Sequence, residues 1–305
     1  MLAYITHADC LAHDTGALHP DQPERLTVID NQLIMSGLEF VIRYYDAPLV
    51  TREQLLRVHD RAYIDRVYAI DPSQGPVEID GDTVMSPGTL RAAERAAGAG
   101  VLAVDLVMSG DAHAAFCAVR PPGHHAERGQ AMGFCLFDNI AVAAAHALEA
   151  HGLSRVAIID FDVHHGNGTE DIFSAEPRVL FCSSFEHPFY PFSGHASDTA
   201  NLVDVPLPAG AGSAEFRDGV TGHWLPALDA FAPEMVFISA GFDAHVADDM
   251  SHLTLTDRDY RWVTEQLVEV AKTHAKGRIV SMLEGGYEPA ALARSVVAHI
   301  DAMIG

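Results

Sequence analysis

Two carboxylates and two imidazoles fall within six residues in the stretch DFDVHHGNG (160–168), directly after the apolar run RVAIID. Such a density fits a metal site, a proton relay or a charged loop after a strand. Side chains alternate along an extended chain. Asp160, Asp162 and His164 are therefore expected on one face, and Phe161, Val163 and His165 on the other. Asp162 and His164, two residues apart, can then converge on one cation, and carboxylate and neutral imidazole are ordinary ligands of Zn²⁺. A third ligand must come from elsewhere. Asp243, in SAGFDAH at the end of another apolar run, is the best candidate, with a glycine before it that lets the backbone approach closely. An Asp-His-Asp set leaves a coordination position open, which marks a catalytic rather than a structural zinc and allows water to be activated for attack on a carbonyl. An isolated aspartate is more often a helix cap or an ion-pair partner. The D-x-D-x-H-H run together with a second acidic loop favours the metal.

Three further loops carry weaker signals. PPGHH (121–125) places His124 and His125 after a rigid turn; adjacent histidines serve as ligands, as surface residues or as an acid–base pair. With 18 histidines in the chain, the pair alone is weak, and its place on a rigid turn strengthens it. In EGGY (284–287), the Tyr287 phenol can donate to a developing oxyanion, although a turn with a packed aromatic explains the tetrapeptide alone slightly better. Phe134 and Tyr190 can wall a narrow apolar slot, against a general tendency of single aromatics to be core.

The elements that must position these groups are legible as short, nearly continuous apolar runs: LAYIT, HAAFCAV, RVAIID, RVLFCSS, EMVFISA and RIVSML. They read as strands buried on both faces. Helical patterns lie between them. One is expected to open at Ser86 and Pro87 and run to Met108; another starts at Thr256, where Asp259 completes a capping arrangement. Alternating strands and helices predict one α/β domain over residues 1–305, three layers deep, with a mostly parallel central sheet. Ligands of such sheets bind beyond the carboxyl ends of the strands, which is where all of the loops above fall.

Composition narrows the function classes. The formal charge of −23 disfavours general affinity for nucleic acid or an anionic membrane surface, and suits a cationic substrate or simply a soluble surface. The most apolar window, AAGAGVLAVDLVM, is interrupted by Asp105 and too short to span a bilayer, which needs ~20 residues. The start, MLAYITHADC, lacks the pattern of a signal peptide, so a cytoplasmic location is expected. Cys10, Cys117, Cys135 and Cys182 are widely spaced and are expected to be buried thiols. A homo-oligomer is compatible with the sequence.

The motifs together resemble the zinc-dependent histone deacetylase family, within the arginase/deacetylase fold. HPDQPERL (19–26), RPPGHHA (120–126), GFC (133–135), DFDVHHGNG (160–168), FYP-x-SG (189–194), AGFDAH (240–245) and LEGGY (283–287) follow in family order across almost the whole chain. The resemblance implies one Zn²⁺ per chain on Asp162, His164 and Asp243, an acid–base pair of His124 and His125, and Tyr287 as the group polarising the carbonyl. It implies Asp160 behind His124 and beside a structural K⁺, and Asn167 beside His125. Class I members have an aspartate at that last place, so Asn167 and LEGGY mark a class II-like protein. Gly133, Phe134, Tyr190, Met250 and Asp82 are the expected substrate slot and rim. The expected substrate is an acylated amine, with acetyl-lysine favoured because Met250 stands where polyamine-selective members place a glutamate. Acetylpolyamines and other small N-acyl amides are the alternative. A dimetal ureohydrolase of the same fold would need further acidic ligands, where this chain has His165 and Asn167. A non-catalytic acyl-lysine or metal binder would be expected to lack the tyrosine or a ligand.

Overall fold

The computed structural model describes residues 1–194 and 199–305. Ten strands are present among them: β1 Leu2–Thr6, β2 Ile42–Asp46, β3 Val77–Glu78, β4 Val84–Met85, β5 Ala114–Cys117, β6 Val156–Asp160, β7 Val179–Glu186, β8 Leu202–Leu207, β9 Val236–Ala240 and β10 Ile279–Leu283. Eight form one sheet in the order β2-β1-β5-β10-β9-β6-β7-β8, and β3 and β4 make a small separate ribbon. Every pairing within the large sheet is parallel.

The six apolar runs all form strands, and the middle ones are buried at every position because helices cover both faces. Helices Glu24–Ser36, Asp257–His274 and Pro289–Ile304 pack together as one layer, and Thr89–Ser109 packs with Asn139–Glu149 as the other. The two strands that the apolar runs do not announce, β2 and β8, are the edges of the sheet. IRYYD and LVDVPL are partly exposed and interrupted by polar residues or proline, so they lack the signature of a strand covered on both sides.

One helix start differs from expectation. The helix begins at Thr89, not at Pro87. The Ser86 N–H donates to Thr89 Oγ1 at 2.8 Å and its carbonyl accepts from the Thr89 N–H, so Ser86-Pro87 closes a turn ahead of the helix instead of capping it. At Thr256, by contrast, both the backbone N–H and the hydroxyl donate to Asp259 Oδ2 at 2.9 Å, as expected. All four cysteines are buried free thiols.

Between the sheet and one helix layer lies a buried imidazole, His299. It bonds to Thr264 Oγ1 at 2.6 Å and Ser281 Oγ at 2.9 Å among the rings of Phe116, Phe161 and Phe242. Burial alone pushes it down to about 3, so the ring is neutral in the fold. The four central strands, β5, β10, β9 and β6, end side by side, and the PPGHH, EGGY, GFDAH and DFDVHH loops leave from those ends.

Candidate active site

The strand β6 stops at Asp160, so DVHH is not its extended continuation. The chain instead curls through side-chain bonds two residues apart. The Asp162 N–H donates to Asp160 Oδ1 at 3.1 Å and the His164 N–H donates to Asp162 Oδ1 at 2.9 Å. Short polar side chains bond their neighbours' backbone readily in this way, and here they compete with the sheet and win. The sidedness expected from alternation nevertheless survives: Phe161 and Val163 are buried in the core, and Asp162 and His164 meet Asp243.

Ligand atoms of Asp162, His164 and Asp243 lie within 4.8 Å of one another. His164 Nδ1 is 3.0 Å from Asp162 Oδ1 and 3.3 Å from Asp243 Oδ2. The outer oxygens are fixed by backbone: the Gly285 N–H donates to Asp162 Oδ2 at 2.8 Å, and the Val163 N–H to Asp243 Oδ1 at 2.9 Å. That leaves Asp243 Oδ2 buried without a hydrogen-bond partner, a position that a cation satisfies. A Cβ on Gly285 would stand 2.0 Å from that same oxygen, so only glycine fits against the cluster. Burial opposes ionisation of Asp243 and, with the Asp162 charge, pushes it up to about 6; burial also opposes a charge on His164, but its two carboxylate partners overcome this and push it up to about 10.

His124 and His125 stand beside this cluster with ring centroids 4.0 Å apart. His124 Nδ1 is 2.9 Å from Asp160 Oδ2, while His125 Nδ1 is 2.7 Å from Asn167 Oδ1. Their partners split them. Burial disfavours a charge on both, but Asp160 and Asp162 raise His124 well above the ordinary imidazole range, and burial together with the His124 charge holds His125 well below it.

The tetrapeptide Glu284-Gly285-Gly286-Tyr287 ties these parts together. The buried Glu284 carboxylate accepts from the backbone N–H groups of Gly123 and His124, at 2.7 and 3.2 Å, and from Ser239 Oγ. The Tyr287 N–H donates to Asp248 Oδ2 at 2.6 Å. Arg25, from the HPDQPERL motif, donates through Nε to the Gly286 carbonyl at 2.7 Å and lies 4.8 Å over the Tyr287 ring. Burial keeps the phenol well above its usual value, so it is a neutral donor. Glu284 and Arg25 have no role in the sequence reading. The signals for both were present: a carboxylate directly after a fully buried strand, and a basic residue inside a conspicuous motif.

A pocket of about 200 Å³ opens over the cluster, and the residues around it include Asp82, Gly133, Phe134, Tyr190, Met250 and Tyr287 beside the histidines. All five residues expected at the slot and rim are there. Phe189, next to Tyr190, is an additional wall, stacked on His164 with ring centroids 5.6 Å apart. Phe134 has φ of 69°, rare for a bulky residue, and is pinned by its N–H to Thr83 Oγ1 at 3.1 Å. A Cβ on Gly133 would meet the His125 ring at 2.3 Å, so this glycine clears space for the imidazole. Asp82 accepts from the Gly133 N–H at 3.2 Å, and burial together with the Asp82 charge raises the Tyr190 phenol above its usual value.

His165 turns away from the pocket, as alternation predicts. Its Nε2 is 3.0 Å from Glu170 Oε2 and 3.6 Å from Asp204 Oδ1, and its Nδ1 is 2.8 Å from Ser193 Oγ.

Comparison with known proteins bears on this arrangement. The histone deacetylase domain family matches residues 19–303. The chain is 36% identical to the histone deacetylase-like amidohydrolase of Pseudomonas aeruginosa, over 95% of this chain and 78% of that protein. It is also 36% identical to the human polyamine deacetylase HDAC10, over 99% of this chain and 48% of that one. The solved HD domain of HDA15 superposes with a TM-score of 0.94 at 34% identity, covering 100% of this chain and 88% of that one.

Proposed function

The chain belongs to the histone deacetylase family and is a hydrolase of amide bonds, and from that premise we propose that it removes an acyl group, foremost acetyl, from an amine in the pocket above Asp162, His164 and Asp243. The observation that carries the reading is the convergence of those three donors, one of them an oxygen without a hydrogen-bond partner, with His164 opening into the pocket lined by His124, His125 and Tyr287. One Zn²⁺ fits this donor set of two carboxylates and an imidazole, and supplies Lewis acidity toward the carbonyl and toward water. A structural K⁺ beside Asp160 is supported by Ser183. It lies opposite Asp160 in the β6–β7 register, and its buried Oγ has no hydrogen-bond partner.

The chain's own groups divide the remaining work. Tyr287 donates a hydrogen bond to the carbonyl oxygen as negative charge develops there. His125 accepts the proton of the attacking water and later delivers it to the amine nitrogen as the C–N bond breaks, leaving a carboxylic acid and an amine, which then exchange a proton to give carboxylate and ammonium. His124, held by Asp160, keeps a positive charge beside the developing oxyanion. Phe134, Phe189, Tyr190 and Met250 hold the alkyl chain of the substrate, and Asp82 at the rim accepts from its polar head.

Acetyl-lysine side chains are the favoured substrate, because the slot is apolar and Met250, not a glutamate, lines it. An acetylpolyamine is the second reading, favoured by the Asp82 carboxylate at the rim and by the similarity to a polyamine deacetylase. Zinc-loaded protein assayed in parallel on acetyl-lysine peptides, acetylated polyamines and longer acyl-lysines decides between them. A preference for peptides supports the first reading, and a preference for polyamines replaces it. Absence of turnover on every acylated amine would overturn the proposed reaction.

A further inference from the structure

His125 can do the proposed chemistry only in one tautomer. It needs the proton on Nδ1 and a free lone pair on Nε2 to accept a proton from water. Its Nδ1 partner is an asparagine, which offers an oxygen on one side of its amide and an NH₂ on the other. An aspartate in the same place would be an acceptor in either orientation. Asn167 can fix the tautomer only if something fixes the amide.

The surroundings of the amide nitrogen do so. Asn167 Nδ2 donates to Glu127 Oε1 at 2.8 Å and sits 3.3 Å from Met132 Sδ and 3.5 Å from the His125 carbonyl oxygen. All three are acceptors. A flipped amide would set its oxygen against the Glu127 carboxylate and its NH₂ against His125 Nδ1. Two hydrogen bonds would then be exchanged for an acceptor–acceptor repulsion and a wrong tautomer. Glu127 is itself held at three points. Its Oε2 accepts from Gln130 Nε2 at 2.7 Å, its N–H donates to the Gln130 carbonyl at 3.0 Å, and its carbonyl oxygen is 2.9 Å from His59 Nδ1. Asn167 is fixed by its own N–H, which donates to the His165 carbonyl at 2.8 Å.

We infer that Glu127 is a positioning residue for the deacylation: its carboxylate orients the Asn167 amide, which in turn sets the proton of His125 on Nδ1 and leaves Nε2 to face the substrate. The inference rests on the proposed role of His125. Glu127 is only half-buried, so replacing it leaves no stranded buried charge. The test is a double-mutant cycle on the zinc-loaded enzyme. Glutamine at 127 presents either an oxygen or an NH₂ to Asn167 and no longer selects one orientation. Glu127→Gln is therefore expected to lower kcat about tenfold, a fraction of the 10²–10⁴ that general acid–base catalysis supplies, with KM and zinc content unchanged. In the Asn167→Asp background the sign reverses. There Glu127 only repels a neighbouring carboxylate, so Glu127→Gln raises kcat. Long-range ¹H–¹⁵N spectra of histidine-labelled protein give the tautomer independently, with His125 in the Nδ1–H form in the native protein and a mixture in Glu127→Gln. A fall in kcat of equal size in both backgrounds, or an unchanged tautomer in Glu127→Gln, overturns the inference. His125→Ala serves as the control. A loss of about 10² or more there keeps the proposed reaction whatever the fate of Glu127, and full activity removes the reaction and the inference together.

Discussion

Two neighbouring histidines of one loop each meet two carboxylates, and the two clusters are alike in their donors. Ligand atoms of His165, Glu170 and Asp204 lie within 4.8 Å of one another, as do those of Asp162, His164 and Asp243. The closest imidazole–carboxylate distance is 3.0 Å in both. What differs is what surrounds them. His164 opens into a pocket beside two further imidazoles and a phenol, and a glycine makes room at its carboxylate partners. The His165 cluster faces away from that pocket. His165 also bonds Ser193 through its second nitrogen, and its carboxylate partners overcome burial to push it up to about 9, which makes it an imidazolium between two anions. A donor inventory therefore identifies places where positive charge is wanted. Access and neighbouring proton carriers decide which of them does chemistry.

The largest predicted effect separates the clusters directly. Asp243→Asn removes a charge from the pocket cluster and should abolish measurable turnover together with zinc binding, read by activity and metal content of the purified protein. Turnover near the native level with Asp243→Asn would contradict the assignment. Next in size, Tyr287→Phe should lose about 10²–10³ in kcat while keeping its zinc, the magnitude of a lost oxyanion donor. An unimpaired kcat would remove the phenol from the reaction.

The third prediction turns to the other cluster. His165→Gln leaves Glu170 and Asp204 without their cation and should cost about 2–3 kcal/mol in denaturant unfolding. This is less than the 3–5 of a fully buried pair because the Glu170 side chain is 26% exposed. The folded variant should keep its zinc and its kcat within about twofold. The last prediction concerns neither cluster and shows only when the pH is lowered. His299 is held neutral, at about 3 against 6.5 when unfolded. The unfolded chain thus binds a proton between these values that the folded one refuses. The stability that His299 contributes is complete above pH 6.5 and falls as the pH drops toward 3. His299→Gln should flatten the acid side of the Tm–pH profile, and an unchanged slope would show that other groups dominate it.

The legibility of this molecule follows burial. The central strands are apolar at nearly every position because both faces are covered, and the loops at their ends carry the chemistry, so the sequence announces both. The edge strands β2 and β8 are hidden because half-exposed residues obey no strict pattern. The convergence of Asp162, His164 and Asp243 was readable from residue type and spacing, although the curl after Asp160 was not. It arises from local side-chain bonds that a strand pattern does not encode. The partners of the anchoring groups Glu284, Arg25 and Glu127 are not given by local spacing, although the residue types of Glu284 and Arg25 hinted at a role. Their contacts span 160, 261 and 40 positions of chain respectively, with His124, Gly286 and Asn167, and only the assembled fold brings them together.

Metal content tests the central claim most directly, measured by elemental analysis on the native protein and on two variants purified in parallel. The native protein and His165→Gln should each carry about one zinc per chain, and Asp243→Asn essentially none, as expected of a single open three-ligand site. Zinc retained by Asp243→Asn and lost from His165→Gln would place the metal in the other cluster and contradict the account.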